Sequence, residues 1–235
     1  LMLKTAAVGV STLGLSHPAL SGLQTNSRAG LYAPPIGIAK LNANENPYGP
    51  SPAAVRAMAE ASAHGAYYVR RSAQKLREMI AEKHGLSVDH VLLSSGSSGA
   101  LTYLALAASQ KGQILTPDLF WDTTSLMGVR NSPFGIRRLP KNESLVIDLT
   151  AMEASLTDDI AMVQITNPNN PTGIALDSEE LKRFCLKASK KCVVLIDEAY
   201  NELTDDPPAS TMIPLVKEGK NVAVARTFSK IYGLA

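Results

Sequence analysis

The sequence has 235 residues, 45% of them hydrophobic and 19% charged, an ordinary globular composition with enough chain for one large core. Its formal net charge of +2 comes from scattered Lys and Arg, so the concentrated basic face of a nucleic-acid binder is excluded. The adjacent pairs Arg70-Arg71, Arg137-Arg138 and Lys190-Lys191 read as solvated surface. Cys185 falls in a helical pattern and Cys192 opens an apolar strand, with no CxxC anywhere, so both read as buried free thiols. His17, His64, His84 and His90 show no ligand spacing, and no metal is expected.

The first stretch, LMLKTAAVGVSTLGLSHPALSG, carries one charge, Lys4, and a mild apolar run from Ala6 to Leu15. Small residues follow around Ala19 and Ser21, as near a cleavage site, and the run is too short for a stable membrane span. It resembles the later part of a twin-arginine export signal whose arginines would precede Leu1. The other reading is an N-terminal arm. The first reading sets an expectation of periplasmic export, with a mature chain beginning near Gly22. The unpaired cysteines fit a reducing, cytoplasmic compartment as well. Residues 23–50, rich in Pro and Gly, read as an arm leading to a large domain over 51–235.

From there the elements alternate. Ser51-Pro52 forms an N-cap and first-turn pair for a helix to about Ala63. Ser72 opens a second helix with Leu76, Met79, Ile80 and Lys83 at helical spacing and Gly85 past its end. HVLLSS (90–95) reads as a strand, followed by a helix from Ser98 to Ser109. Next come the strand GQILT, a helix near Asp122 to Val129 and the strands GIRRL and Ile160–Thr166. Asp177 with Glu180 predicts a capping box for a helix to Ser189. CVVLID (192–197) and NVAVAR (221–226) complete the set. Apolar strands separated by helices predict an α/β fold, a largely parallel sheet with helices on both faces.

In such sheets ligands sit beyond the carboxyl ends of the strands. The loops there read SSGSSGAL (94–101), NPNNPTG (167–173), DEAY (197–200) and TFSK (227–230). SSGSSGAL offers Ser97 and Ser98 at a helix N-terminus, an anion site in outline, yet the spacing is neither that of a dinucleotide fingerprint nor that of a P-loop. An ordinary helix cap explains it equally well. Asp197 ends an apolar strand, where a carboxylate is costly unless a cation or a cap meets it. Asn170 could serve only its Pro-Gly turn, and Lys230 could be surface. Together the loops assemble an amine, a carboxylate, a carboxamide, a phenol (Tyr200) and a phosphate cradle, the set that pyridoxal 5'-phosphate requires.

With LNANENPYGP (41–50), these motifs occur in the order of class I/II aminotransferases of fold type I, and the chain resembles the histidinol-phosphate aminotransferase branch over roughly 40–235. The resemblance implies that Lys230 is the Schiff-base lysine and proton shuttle. It implies that Asp197 faces the pyridine nitrogen, that Asn170 and Tyr200 bond the ring oxygen, and that Ser97, Ser98 and Thr227 hold the phosphate. Phe120 falls where the family usually has a ring-stacking tyrosine, with Trp121 beside it. Tyr68, followed by Val69 where the family often has proline, aligns with a tyrosine reaching the partner subunit's cofactor, which implies a homodimer. Asn44 falls where the N-terminal arm approaches substrate. The family also has a small C-terminal domain with arginines for phosphate and substrate, which this sequence lacks, so the resemblance implies a piece of a longer protein.

The implied activity is transamination between an amino acid or amino phosphate and a 2-oxo acid. A lyase or decarboxylase shares the same motifs. A cofactor-sensing regulator would need a DNA-binding module, and the first 40 residues contain no helix-turn-helix pattern.

Overall fold

A computed structural model of the chain describes residues 33–235. The export-signal reading of residues 1–22 therefore lies outside the described residues. The chain divides into two compact units, 1–44 and 45–235. Over residues 33–44 the first contains turns but no helix or strand; Ile38 N–H donates to Pro35 O at 3.0 Å across Gly37, whose φ of 85° suits glycine.

The second unit is built on five strands, β1 (Gln113–Pro117), β2 (Ile136–Leu139), β3 (Ile160–Thr166), β4 (Val193–Asp197) and β5 (Val222–Ala225). Their order is β2-β1-β3-β4-β5, and every neighbouring pair runs parallel. Eight α-helices accompany them among the described residues: α1 (Pro52–Ser62), α2 (Arg70–His84), α3 (Gly96–Ala108), α4 (Thr123–Val129), α5 (Leu149–Ala154), α6 (Ser178–Ala188), α7 (Pro207–Ser210) and α8 (Ile213–Lys217).

Strand side chains alternate between faces, and each face has its own core. Leu115, Val163, Ile165, Val194 and Ile196 point to one side, where α5 contributes Met152 and α6 contributes Leu181, Phe184 and Cys185. Ile114, Met162 and Leu195 point to the other, against Leu101, Ala105 and Ala108 of α3. Both faces are thus covered, which is why β3, β4 and β5 read as nearly continuous apolar runs. Ile114, Leu115, Leu195 and Ile196 are completely buried, and such side chains each contribute about 1.5–3 kcal/mol. Cys185 and Cys192 are free and buried in the first of these cores, and burial pushes the Cys185 thiol up to about 12.

The caps follow the sequence. Ser51 Oγ accepts from Ala54 N–H at 3.2 Å, Asp177 Oδ1 accepts from Glu180 N–H at 2.9 Å, and Gly85 ends α2 in the left-handed region at φ 61°. Two expectations need correction. HVLLSS is not a strand: Val88–His90 is a 3-10 turn and 91–94 is irregular. Arg77 of α2 donates to Val91 O within the stretch at 2.8 Å and to Val88 O just before it at 2.9 Å, while Leu92 stays 78% exposed. Arg137 and Arg138, read as solvated surface, keep about a third of their side-chain surface exposed at β2 but are paired with Asp159 and Asp122. The helices α5, α7 and α8 and the 3-10 turn Asn201–Leu203 were not legible in the sequence.

Helices α3 and α4 cross closely at Gly128. A Cβ there would lie 2.5 Å from Ala105 Cβ, 2.8 Å from Leu106 N and 2.9 Å from Thr102 O. The close approach brings Ser125 down onto the sheet, where its hydroxyl donates to buried Gln164 at 2.8 Å.

Candidate active site

Three loops at the carboxyl ends of β3, β4 and β5 bring four of the expected residues together. Asp197 closes β4 and is 4% exposed. Its main chain is part of the ladder, with Asp197 O accepting from Asn167 N–H at 2.9 Å. Its Oδ1 accepts from Ala199 N–H at 3.2 Å. Burial pushes this carboxyl up to about 6; the Ala199 bond opposes that rise, Glu198 adds to it and the Lys230 charge opposes it. Three residues on, Tyr200 Oη accepts from Asn170 Nδ2 at 3.4 Å, joining the loop after β3 to the loop after β4. From the loop after β5, Lys230 Nζ lies 5.6 Å from the centroid of the Tyr200 ring, a cation–π distance. Lys230 is therefore not an isolated surface lysine.

Thr227, two residues past the end of β5, shapes the lysine's turn. Its Oγ1 accepts from Ser229 N–H at 3.1 Å and shares a hydrogen bond with Ser229 Oγ at 2.8 Å. Ser97 and Ser98 lie in the first turn of α3, beside Gly96, whose φ is 64°. The N-cap of this helix, Ser95, makes no side-chain cap, and Ser94 Oγ donates to Gly96 O at 2.6 Å. A helix end without a side-chain cap keeps N–H groups for an anion.

Phe120 is buried, with the Arg138 guanidinium 5.8 Å from its ring centroid, whereas Trp121 is 36% exposed. The same loop meets the β3 loop, because Asn169 Nδ2 donates to Leu119 O at 3.3 Å. Tyr68 stands apart from these contacts. It is 94% exposed and, with Val69, Arg70 and Ala73, lines a shallow cavity of about 320 Å³. Asn44 is exposed and belongs to the 1–44 unit.

Sequence reasoning left Glu198, Arg226 and Glu202 unused. Glu198 is 1% exposed and accepts from Arg226 Nε and Nη2 at 3.1 and 2.7 Å, from Thr211 Oγ1 at 2.8 Å and from Met212 N–H at 2.6 Å. Arg226 Nη1 donates to Glu202 at 3.0 Å. The nearby arginine thus goes to Glu198, and among the described residues Asp197 forms no salt bridge. The signal for this was in the sequence: two adjacent carboxylates at a strand end with one arginine at the next strand end.

Among the described residues, no three His, Cys, Asp or Glu side chains gather to hold a metal, and no helix is long and apolar enough to cross a membrane.

The sequence model of the family "Aminotransferase class I and II" matches residues 36–235. The chain belongs to that family. Its similar relatives include a histidinol-phosphate aminotransferase of Akkermansia muciniphila, 37% identical over 86% of this chain and 55% of the relative. An aromatic amino acid aminotransferase of Thermobifida fusca is 36% identical over 84% of this chain and 55% of the relative. In solved structures, a putative histidinol-phosphate aminotransferase of Erwinia carotovora atroseptica superposes with a TM-score of 0.75 at 25% identity, over 81% of this chain and 56% of that one. The Sinorhizobium meliloti histidinol-phosphate aminotransferase, solved in complex with pyridoxal-5'-phosphate, shares the fold with a TM-score of 0.75 at 24% identity, over 96% of this chain and 62% of that one. The fold is that of the type I aminotransferases. The chain spans about half the length of the curated relatives it matches.

Proposed function

We propose that residues 45–235 form the cofactor-binding part of a pyridoxal-phosphate-dependent aminotransferase that moves an amino group between a histidinol-phosphate-like amino compound and a 2-oxo acid. The observation that carries the reading is the meeting of Lys230, Tyr200, Asn170 and Asp197 from three loops. The donor set fits the cofactor. Asp197 is a deeply buried carboxyl that burial disfavours as an anion, and a protonated ring nitrogen is the kind of partner that offsets that cost.

When bound, pyridoxal phosphate supplies an electron sink for negative charge developing at the substrate Cα. Lys230 would carry the cofactor through its amine and, once displaced, hold and move the proton at that Cα. Asp197 would keep the proton on the ring nitrogen, where charge stabilisation in a water-poor site counts most. The carboxamide of Asn170 and the phenol of Tyr200 would bond the ring oxygen. Ser97, Ser98 and Thr227 would hold the phosphate with the N–H groups of α3. Phe120 is proposed for the ring face, Asn44 for substrate, and Tyr68 for the cofactor of a partner subunit in a homodimer. The family favours transamination over a lyase reaction, and the names of the relatives favour histidinol phosphate.

The test is chemical. Borohydride treatment of the protein loaded with pyridoxal phosphate, followed by peptide mapping, should place the adduct on Lys230. An adduct on another lysine would refute the assignment. Turnover with histidinol phosphate and 2-oxoglutarate, compared with phenylalanine as donor, tests the substrate class.

A further inference from the structure

The lysine's turn is held from both sides by one oxygen. Glu202 Oε1 accepts from Arg226 Nη1 at 3.0 Å, four residues before Lys230, and from Tyr232 Oη at 3.4 Å, two residues after it. Glu202 sits in the 3-10 turn Asn201–Leu203, directly after Tyr200, over whose ring the Lys230 ammonium lies. The turn closes on itself as well: Gly233 N–H donates to Lys230 O at 3.0 Å, Leu234 N–H donates to Phe228 O at 3.0 Å, and the Phe228 and Tyr232 rings meet edge to face at 5.6 Å. Arg226 is itself anchored, since its other nitrogens grip fully buried Glu198.

We propose that Glu202, with Arg226 and Tyr232, is a clasp that positions Lys230: it ties both flanks of the lysine's turn to the segment carrying Tyr200, and so fixes the amine relative to the loop of Asp197. The role of Lys230 in this statement rests on the cofactor reading above; the clasp itself does not. An anionic acceptor holds Arg226 more strongly than a neutral one, and a carboxylate on a short 3-10 turn reaches both donors at once. Glu202, Arg226 and Tyr232 act through Lys230 and are positioning residues. The side chains of Arg226 and Glu202 remain 23% and 20% exposed, so the network is partly screened and salt should weaken it.

The experiment uses the full chain with and without cofactor. In the cofactor-free protein, Lys230 is labelled with an amine-reactive anhydride across a pH series, and its rate is compared by mass spectrometry with that of exposed Lys187. Glu202→Ala should change the Lys230 rate several-fold while leaving Lys187 unchanged, and Glu202→Gln and Tyr232→Phe should each give part of the change. Adding Tyr232→Phe to Glu202→Ala should give little more, because both remove the same tie. In the loaded protein, the pH midpoint of the cofactor's absorbance change should shift in the same variants. Unchanged Lys230 labelling and an unchanged midpoint in folded Glu202→Ala overturn the clasp. If Glu202→Ala fails to fold, Glu202→Gln and Tyr232→Phe decide, and unchanged labelling in both overturns it. Should the native protein take no cofactor on Lys230, the cofactor reading fails while the labelling arm still decides the clasp.

Discussion

The leading segment of the second unit and the sheet edge that follows it use the same local grammar with opposite outcomes. Helix α1 has a Ser cap, a first-turn proline and an amphipathic pattern, yet none of its residues is buried among the described contacts, and Val55 and Met58 are about half exposed. Helix α6 has an equivalent cap and buries Leu181, Phe184, Cys185 and Ala188 against the sheet. Local signals make both helices, and only a packed face makes one of them part of the core. At the carboxyl edge, polar residues that would be loop filler elsewhere are held in place by that core.

The sharpest way to break the comparison is at Lys230. Lys230→Ala should abolish turnover and the borohydride-stable adduct while leaving the far-ultraviolet circular dichroism unchanged, because the residue contributes to no apolar cluster. Retained turnover in a steady-state assay would reduce the edge to a structural one.

Asp197 tests whether the site is maintained against stability. Its folded-state acidity lies near 6, above the ordinary value of 3.8, so the folded protein binds the proton more tightly than the unfolded chain does. The sign follows: its contribution is fully present below about 3.8 and is lost as pH rises through about 6. The two values correspond to an upper figure of about 3 kcal/mol at neutral pH. Asp197→Asn should therefore raise the denaturation midpoint of the cofactor-free protein at pH 8, with the gain shrinking toward pH 4, while turnover falls by orders of magnitude. A lower midpoint at pH 8 would mean that the carboxylate is satisfied in the fold.

Gly128→Ala probes the core away from the site. The added methyl group would press on the backbone of α3, and overpacking of this kind costs about 1–3 kcal/mol, measurable by urea unfolding. Ser51→Ala should be the mildest. Losing a cap costs a helix about 1 kcal/mol, but α1 buries nothing, so the loss should appear as faster amide exchange within 52–62 and not as a change in global stability.

Much of this was legible because the strands carry their own signal. Met162, Val163 and Ile165, and Val194 to Ile196, place apolar side chains on both faces, which a doubly covered sheet accepts. The motifs that end those strands are equally local, so the loops carrying Asp197, Tyr200, Asn170 and Lys230 could be placed at one edge of the sheet. HVLLSS misled because its apolar residues say nothing of whether a neighbouring strand exists, and Arg77 took the Val91 carbonyl. An arginine partner for one of the adjacent carboxylates was legible, but not which of the two receives it. Which of Asp197 and Glu198 receives Arg226 depends on the pleat, which turns successive side chains to opposite faces.

The backbone on either side of that partition is fully engaged: Asp197 O holds Asn167 N–H, and Glu198 N–H holds Ala225 O at 2.9 Å. Asp197, at the end of β4, is thus tied to both neighbouring strands and cannot shift without opening the sheet. In the proposed reading, differences in substrate size would fall to the turns at 118–122, 167–173 and 227–234, above a floor that stays still. Amide exchange should draw this contrast directly, with protection at Asn167 and Glu198 approaching that of the whole fold and early exchange in the turns around them.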